Sequence, residues 1–88
     1  MVVRDLLGGF DADVRVECPV RIEDMSGRVL FHSGRDDNGE WNDNVRSPRD
    51  LDDEDRAEEI LDMEIDLIGA YDGDDDYSGG VLLIRVSD

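Results

Sequence analysis

The sequence is poor in the residues that most active sites use. Its 88 residues include no lysine, one cysteine and one histidine. The cysteine, Cys18, has no second thiol with which to form an internal disulfide, which suits a reducing compartment. No apolar run is long enough to span a bilayer, and the first residues lack the charged-then-apolar pattern of a signal peptide. We therefore expect one cytoplasmic domain, residues 1–88, that does not contact membranes.

Nothing in the residue pattern indicates catalysis. A nucleophilic pair needs a thiol or hydroxyl and a base within hydrogen-bond reach, with a third group that orients the base. The pattern puts His32 at the end of one strand and Cys18 on the apolar side of another, where we expect a small core residue. Glycine-rich phosphate loops and basic patches are absent. The sequence thus predicts a non-enzymatic protein without a cofactor.

One aspartate cluster resembles the opening of a calcium-binding loop. Asp72, Asp74 and Asp76 follow the alternating pattern of such a loop. The sixth and twelfth positions, which require glycine and a bidentate glutamate, hold Tyr77 and Leu83 instead. We therefore expect a solvated hairpin turn here and no specific metal site.

The net charge of −16 is concentrated in the second part of the chain. Residues 1–35 hold six acids against five arginines, whereas residues 36–88 hold nineteen acids against four. Such a surface repels the phosphates of nucleic acids and anionic membranes. It attracts basic partners, many of which bind nucleic acids. The lack of lysine and the excess of aspartate also fit a salt-adapted or GC-rich organism, so charge that serves only solubility is an alternative.

Hydrophobic periodicity predicts six elements in the order α-β-β-α-β-β. They are a helical turn through Val3, Leu6 and Leu7, strands 14–23 and 28–32 joined at Gly27, a helix capped by Asp52 or Asp53 and ending near Asp62, and strands 63–71 and 81–86. Pro19 lacks an amide donor, which indicates an edge position or a bulge. The last strand is apolar nearly throughout and is expected to be central.

These elements define the fold class as α+β. The simplest layered arrangement is an antiparallel sheet of about four strands, with one short and one longer helix packed on one face. An exposed strand edge near Pro19 would allow two copies to pair, so a homodimer stays open.

The segment from Asp50 to Asp66 carries ten carboxylates and only one arginine. On a helix, residues three and four apart lie about 5–6 Å from each other, and alternate residues of a strand are roughly 6.7 Å apart. This resembles the spacing of backbone phosphates. The predicted partner-binding residues are Asp52, Asp53, Glu54, Asp55, Glu58, Glu59, Asp62, Glu64 and Asp66, extended by Asp72, Asp74, Asp75 and Asp76 and by the loop acids Asp36, Asp37, Glu40 and Asp43.

Trp41 lies in a polar loop that spans residues 33–47. Flanked by Glu40 and Asp43, it is predicted to be an aromatic anchor inside an electrostatic rim. The alternative is a tryptophan that folds back to cap a thin core.

A short chain with an extended acidic face resembles the DNA-mimic inhibitors encoded by phages and mobile elements. Anti-CRISPR proteins and inhibitors of restriction enzymes or uracil-DNA glycosylase belong to this group. The segments VRDLL and RIEDMSGRVLFHSG are also similar to small phage or mobile-element proteins. The resemblance implies an inhibitor that acts in the cytoplasm of a bacterial host, where it occupies the basic channel of a CRISPR–Cas effector or similar nuclease.

The competing hypothesis belongs to another functional class. It describes a small structural or adaptor domain of a salt-adapted or GC-rich organism, in which the acids only keep the protein soluble.

Overall fold

The computed structural model describes residues 1–7, 18–72 and 79–87. Two helices and four strands follow one another in the predicted order α-β-β-α-β-β, which confirms the α+β class. The elements are α1 (Arg4–Leu7), β1 (Val20–Glu23), β2 (Val29–His32), α2 (Glu54–Leu61), β3 (Glu64–Tyr71) and β4 (Val81–Ser87), with a 3₁₀ turn at Pro48–Asp50 before α2.

The four strands form one sheet in the order β2-β1-β4-β3. The β1–β2 and β3–β4 pairs are antiparallel, but β1 and β4 run parallel with Ile22 opposite Ile84. The sheet is therefore mixed, and the prediction of a fully antiparallel sheet was wrong on this point. The two hairpins join through β4, and its central position agrees with its apolar sequence.

One face of the sheet packs against the helices. Ile22 of β1 and Ile84 and Val86 of β4 are fully buried there, together with Leu61 of α2. The full core cluster consists of Val3, Leu7, Val20, Ile22, Phe31, Val45, Leu51, Ala57, Ile60, Leu61, Ile84 and Val86. Burying each aliphatic side chain of this size contributes roughly 1.5–3 kcal/mol, so this cluster is what fixes α2 on the sheet.

Only part of the first predicted strand, 14–23, falls within the described residues. Residues 14–17 lie outside the described residues, and the strand starts at Val20. Cys18 is exposed, so its prediction as a core residue was wrong. The pattern failed because Cys18 precedes the hydrogen-bonded ladder, where side chains no longer alternate between the two faces.

Pro19 does not mark an edge strand. The strand that follows it, β1, lies between β2 and β4, and the Pro19 carbonyl accepts a hydrogen bond from the Leu82 amide at 2.8 Å. A proline is tolerated just before a strand, because its missing amide donor interrupts no hydrogen bond of the ladder there. The predicted edge for a homodimer near Pro19 is thus absent from the described sheet.

Helix α2 begins where the sequence allowed two caps. Asp53, not Asp52, is the N-cap, and its carboxylate accepts the amide of Arg56 at 3.1 Å. Asp62 is the C-cap, and its amide donates to the Glu58 carbonyl at 3.0 Å. Both predicted ends of the helix are therefore confirmed.

Replacing Asp53 by alanine should destabilise the domain, because the Arg56 amide loses its acceptor at the helix start. N-cap substitutions of this kind cost about 0.5–2 kcal/mol. The free energy of unfolding, measured by urea titration, should fall by this amount in Asp53→Ala. The neighbouring Asp52→Ala removes the same charge without removing a cap and serves as the matched control. Equal losses in both variants would contradict the assigned cap.

Candidate partner-binding surface

The predicted acidic residues of α2 and β3 all lie on the protein surface. We call the set the acidic face, and it consists of Asp52, Asp53, Glu54, Asp55, Glu58, Glu59, Asp62, Glu64 and Asp66. Every one of these residues is exposed. The arrangement follows from the helical period, because Ala57, Ile60 and Leu61 turn into the core and leave the other positions to solvent.

One end of the acidic face is partly neutralised. The guanidinium of Arg4 forms ion pairs with Glu58 and, at 3.0 Å, with Asp62. The Met1 ammonium lies 2.9 Å from a carboxylate oxygen of Glu64. Hydrogen bonds to Glu58 and Asp62 raise the pKa of Arg4, and the hydrogen bond to Glu64 raises the pKa of the Met1 ammonium. These cations come from the far end of the chain, so no local sequence signal announced them.

The other part of the acidic face forms no ion pair within the part of the chain that the structure describes. Within residues 1–7, 18–72 and 79–87, no ion pair or side-chain hydrogen bond involves the carboxylates of Asp52, Glu54, Asp55, Glu59 and Asp66. Arg56 is the only cation within α2, but its guanidinium donates to the Leu30 carbonyl at 2.8 Å and lies 3.6 Å from Asp37. These five carboxylates are therefore available to an external cation.

Several acidic side chains outside α2 accept hydrogen bonds that hold turns and loops together. Asp36 accepts the amides of Asn38 and Glu40, each at 2.9 Å, and so closes a loop. Asp24 accepts the hydroxyl of Ser26 at 2.6 Å, and this bond is the main reason that its pKa is lowered. Such carboxylates stabilise turns.

Two of the loop acids also have contacts within the protein, and the extension of the acidic face by the loop stays a prediction. Asp37 accepts the amide of Asp53 at 2.8 Å and is held near Arg56, and Asp43 accepts the indole N–H of Trp41. Glu40 is exposed. Of the predicted aspartate turn, Asp72 is exposed, whereas Asp74, Asp75 and Asp76 lie outside the described residues.

Trp41 lies on the surface and does not cap the core. Its side chain is 46% exposed, and it is absent from the core cluster. The guanidinium of Arg35 lies 5.4 Å from the ring centroid, and the indole N–H donates to Asp43. These contacts hold the ring in place while leaving it accessible, and its use as an aromatic anchor stays a prediction.

An open groove runs beside the acidic face, between α2 and the turn that links β1 to β2. Its lining mixes both signs of charge, because it includes the carboxylates of Glu59 and Asp62 and the guanidinium groups of Arg28 and Arg56. Among the described residues there is no group of three or more His, Cys, Asp or Glu side chains placed to hold a metal ion. The feature that stands out chemically is thus the unpaired part of the acidic face.

Comparison of this chain with protein-family models, with curated proteins and with solved structures finds no match. None of the helices in the described parts of the chain has the length and apolar character needed to cross a membrane.

Proposed function

We propose that this protein is a non-enzymatic inhibitor that mimics nucleic acid and blocks DNA binding by a CRISPR–Cas effector or a similar nuclease. The observation that carries the proposal is the acidic face, where five carboxylates are exposed and form no ion pair with any described residue. They belong to Asp52, Glu54, Asp55, Glu59 and Asp66. A helix anchored on the sheet by Leu61 presents most of these charges in a fixed order.

The spacing of the charges supports this proposal. Asp55 and Glu59 are one turn apart on the helix, a separation of about 5–6 Å between their β-carbons. B-DNA carries one phosphate per roughly 3.4 Å of axis along each strand. Because each strand also winds around the axis, successive phosphates are farther apart through space than this rise, and lysine and arginine side chains that hold them would meet successive carboxylates. Association by such charges is fast and weakens as salt rises.

Affinity capture from a lysate of a CRISPR-bearing bacterium tests the proposal. The immobilised protein should retain a basic nucleic-acid-binding protein, and excess double-stranded DNA should elute that protein because both ligands occupy one site. An uncharged polymer at equal mass serves as the control for elution. Recovery of no basic nuclease, or retention that excess DNA leaves unchanged, would contradict nucleic-acid mimicry.

The alternative function, a small structural or adaptor domain whose charge serves solubility, is favoured by one observation. Asp24 and Asp36 satisfy turn amides, and Arg4 neutralises part of the acidic face, so some of the acids serve the fold itself. A partner-independent role for the remaining acids predicts adaptation to high salt.

Stability measured against salt separates the two functions. For the inhibitor, we expect the melting temperature to rise modestly between low salt and 0.15 M, where the screening length falls to about 8 Å. The protein should already be fully folded at the lower concentration. A domain that unfolds unless molar salt is present would favour the salt-adapted alternative. Circular dichroism at several sodium chloride concentrations, with sucrose as a non-ionic control, gives this result.

A further inference from the structure

Within residues 1–7, 18–72 and 79–87, nothing pairs with the outer edge of β3 along its second half. As the last strand of the sheet, β3 pairs with β4 on one side only. The first residues of the chain cover the start of the other side, where Val3 donates to the Met63 carbonyl at 3.0 Å and Ile65 donates to the Met1 carbonyl at 2.8 Å. No described segment covers the edge from residue 67 to residue 70. We call these four residues the open edge.

The register of the sheet shows which backbone groups the open edge presents. The Leu82 amide points away from β3, because it donates to Pro19 on the β1 side. Its antiparallel partner Ala70 therefore turns its own N–H and C=O away from β4. The period of two assigns the same direction to Ile68, which lies opposite Ile84. Two donors and two acceptors thus point outward, as a further strand would require.

The side chains of the open edge are apolar and exposed. Leu67 is 45% exposed and Ile68 is 46% exposed, and they point to opposite faces of the sheet because they are neighbours in a strand. Ala70 is exposed as well. A strand added at this edge would cover apolar surface on both faces.

The charges at the two ends of the open edge determine which kind of strand can bind there. Asp66 lies at one end of the open edge and Asp72 at the other, and both are exposed. A second copy of this chain, with its own net charge of −16, would be repelled along the whole edge. A register shift between Ile65 and Leu67 also interrupts regular pairing at the acidic end. The edge therefore disfavours self-association and favours a cationic segment.

We propose that the open edge of β3 binds an extended segment of a basic partner by strand addition. The backbone of the segment pairs with Ile68 and Ala70, its apolar side chains cover Leu67 and Ile68, and its lysines or arginines reach Asp66 and Asp72. The inference rests on the basic partner of the proposed function and adds a second contact beside the acidic face. Backbone pairing supplies affinity, and alternate side chains supply selectivity.

A synthetic peptide of alternating lysine and valine residues is the probe for this site. In titrations of the ¹⁵N-labelled full chain, the amides of Ile68 and Ala70 should shift and exchange more slowly with solvent. The same peptide with its backbone amides N-methylated keeps the lysine charges but has no backbone N–H donors, and it should bind at least about tenfold more weakly. A peptide with glutamate in place of lysine should show a comparable loss.

Variants of the protein test the same contact from the other side. Ala70→Pro removes an outward amide that the ladder to β4 does not use, so it should weaken lysine–valine peptide binding about tenfold while the sheet stays folded. Ala70→Ser keeps the amide and should bind normally. If Ala70→Pro proves unfolded, the comparison with the N-methylated peptide decides the matter without it.

Three results would overturn strand addition. They are equal binding of the N-methylated peptide, amide shifts confined to α2, and the absence of binding by the lysine–valine peptide. None of these results contradicts the proposed function, which is tested separately by capture of a nuclease and its elution by DNA. Conversely, a negative capture experiment would defeat the proposed function, whereas a positive peptide titration would still establish the edge as a site for cationic strands.

Discussion

Reversing two charges of the acidic face, in the double variant Asp55→Lys with Glu59→Lys, is expected to weaken partner binding by more than about a hundredfold. Close charge pairs across an interface couple by roughly 1.5–7 kcal/mol, and two pairs at the lower limit amount to about 3 kcal/mol. Because each 1.4 kcal/mol is a factor of ten, this loss is readily measured. Binding kinetics on the immobilised partner should show it in both the association and the dissociation rate.

The fold should tolerate this double reversal. Both side chains are exposed, and neither forms an ion pair or side-chain hydrogen bond with the described residues, so the free protein loses no specific contact. Asp55 does favour the first turn of α2 through the helix dipole, which is worth about 0.3–1 kcal/mol. Relief of repulsion among the remaining acids acts in the opposite direction. Circular dichroism should therefore show a folded domain.

A charge-matched pair of single variants shows whether position matters. Glu59→Lys and Glu40→Lys change the net charge equally, but Glu59 belongs to the acidic face and Glu40 lies in the loop that carries Trp41. We expect only Glu59→Lys to impair binding strongly. Equal losses would indicate that total charge, not the ordered surface on α2, attracts the partner, and unaffected binding in the double variant would exclude α2 as the contact.

Helix α2 and its exposed carboxylates were predictable because the signals that define them are local. Asp53 supplies a cap within three residues of the amide that it satisfies, and Ala57, Ile60 and Leu61 repeat with the helical period. The same period sends the acids to solvent. The central position of β4, between β1 and β3, was also predictable, because its sequence is apolar nearly throughout.

The parallel pairing of β1 with β4 could not be predicted from local sequence signals. It joins Ile22 to Ile84, more than half the chain apart, and antiparallel neighbours would have satisfied the same alternation. Cys18 was predicted to be a core residue but is exposed, because an alternating pattern does not show at which residue the strand's hydrogen-bonded ladder begins.

The sequence also did not show which carboxylates have a partner within the protein. Arg4 lies 54 residues from Glu58 and 58 from Asp62, yet it pairs with both. A count of carboxylates does not separate those that close turns, such as Asp36, from those that face solvent without a cation, such as Asp55. Only the three-dimensional structure distinguishes these two groups, and this is the reason that Asp55 and Glu59, rather than Asp62, are the positions to reverse.

Truncating Leu61 to alanine is expected to have the largest effect on stability. Leu61 is fully buried at the end of α2, where it joins the helix to the cluster that includes Ile22 and Ile84. Removing a buried leucine in this way costs about 2–5 kcal/mol, through lost transfer energy and the cavity left behind. Small domains have only about 5–15 kcal/mol in total, so the urea midpoint should fall steeply. The neighbouring exposed substitution Glu59→Ala should change stability by no more than about 0.5 kcal/mol.

The variants Leu61→Ala and Glu59→Ala distinguish residues that hold α2 on the sheet from residues that contact the partner. At temperatures where Leu61→Ala is still mostly folded, its acidic face keeps every charge, so its partner affinity should fall only by the fraction that is unfolded. Glu59→Ala should behave in the opposite way, with unchanged stability and weaker binding. An affinity loss in Leu61→Ala far beyond its unfolded fraction would mean that the partner also reads the exact placement of α2 on the sheet. A stable Leu61→Ala protein would mean that α2 is held by contacts other than the buried cluster.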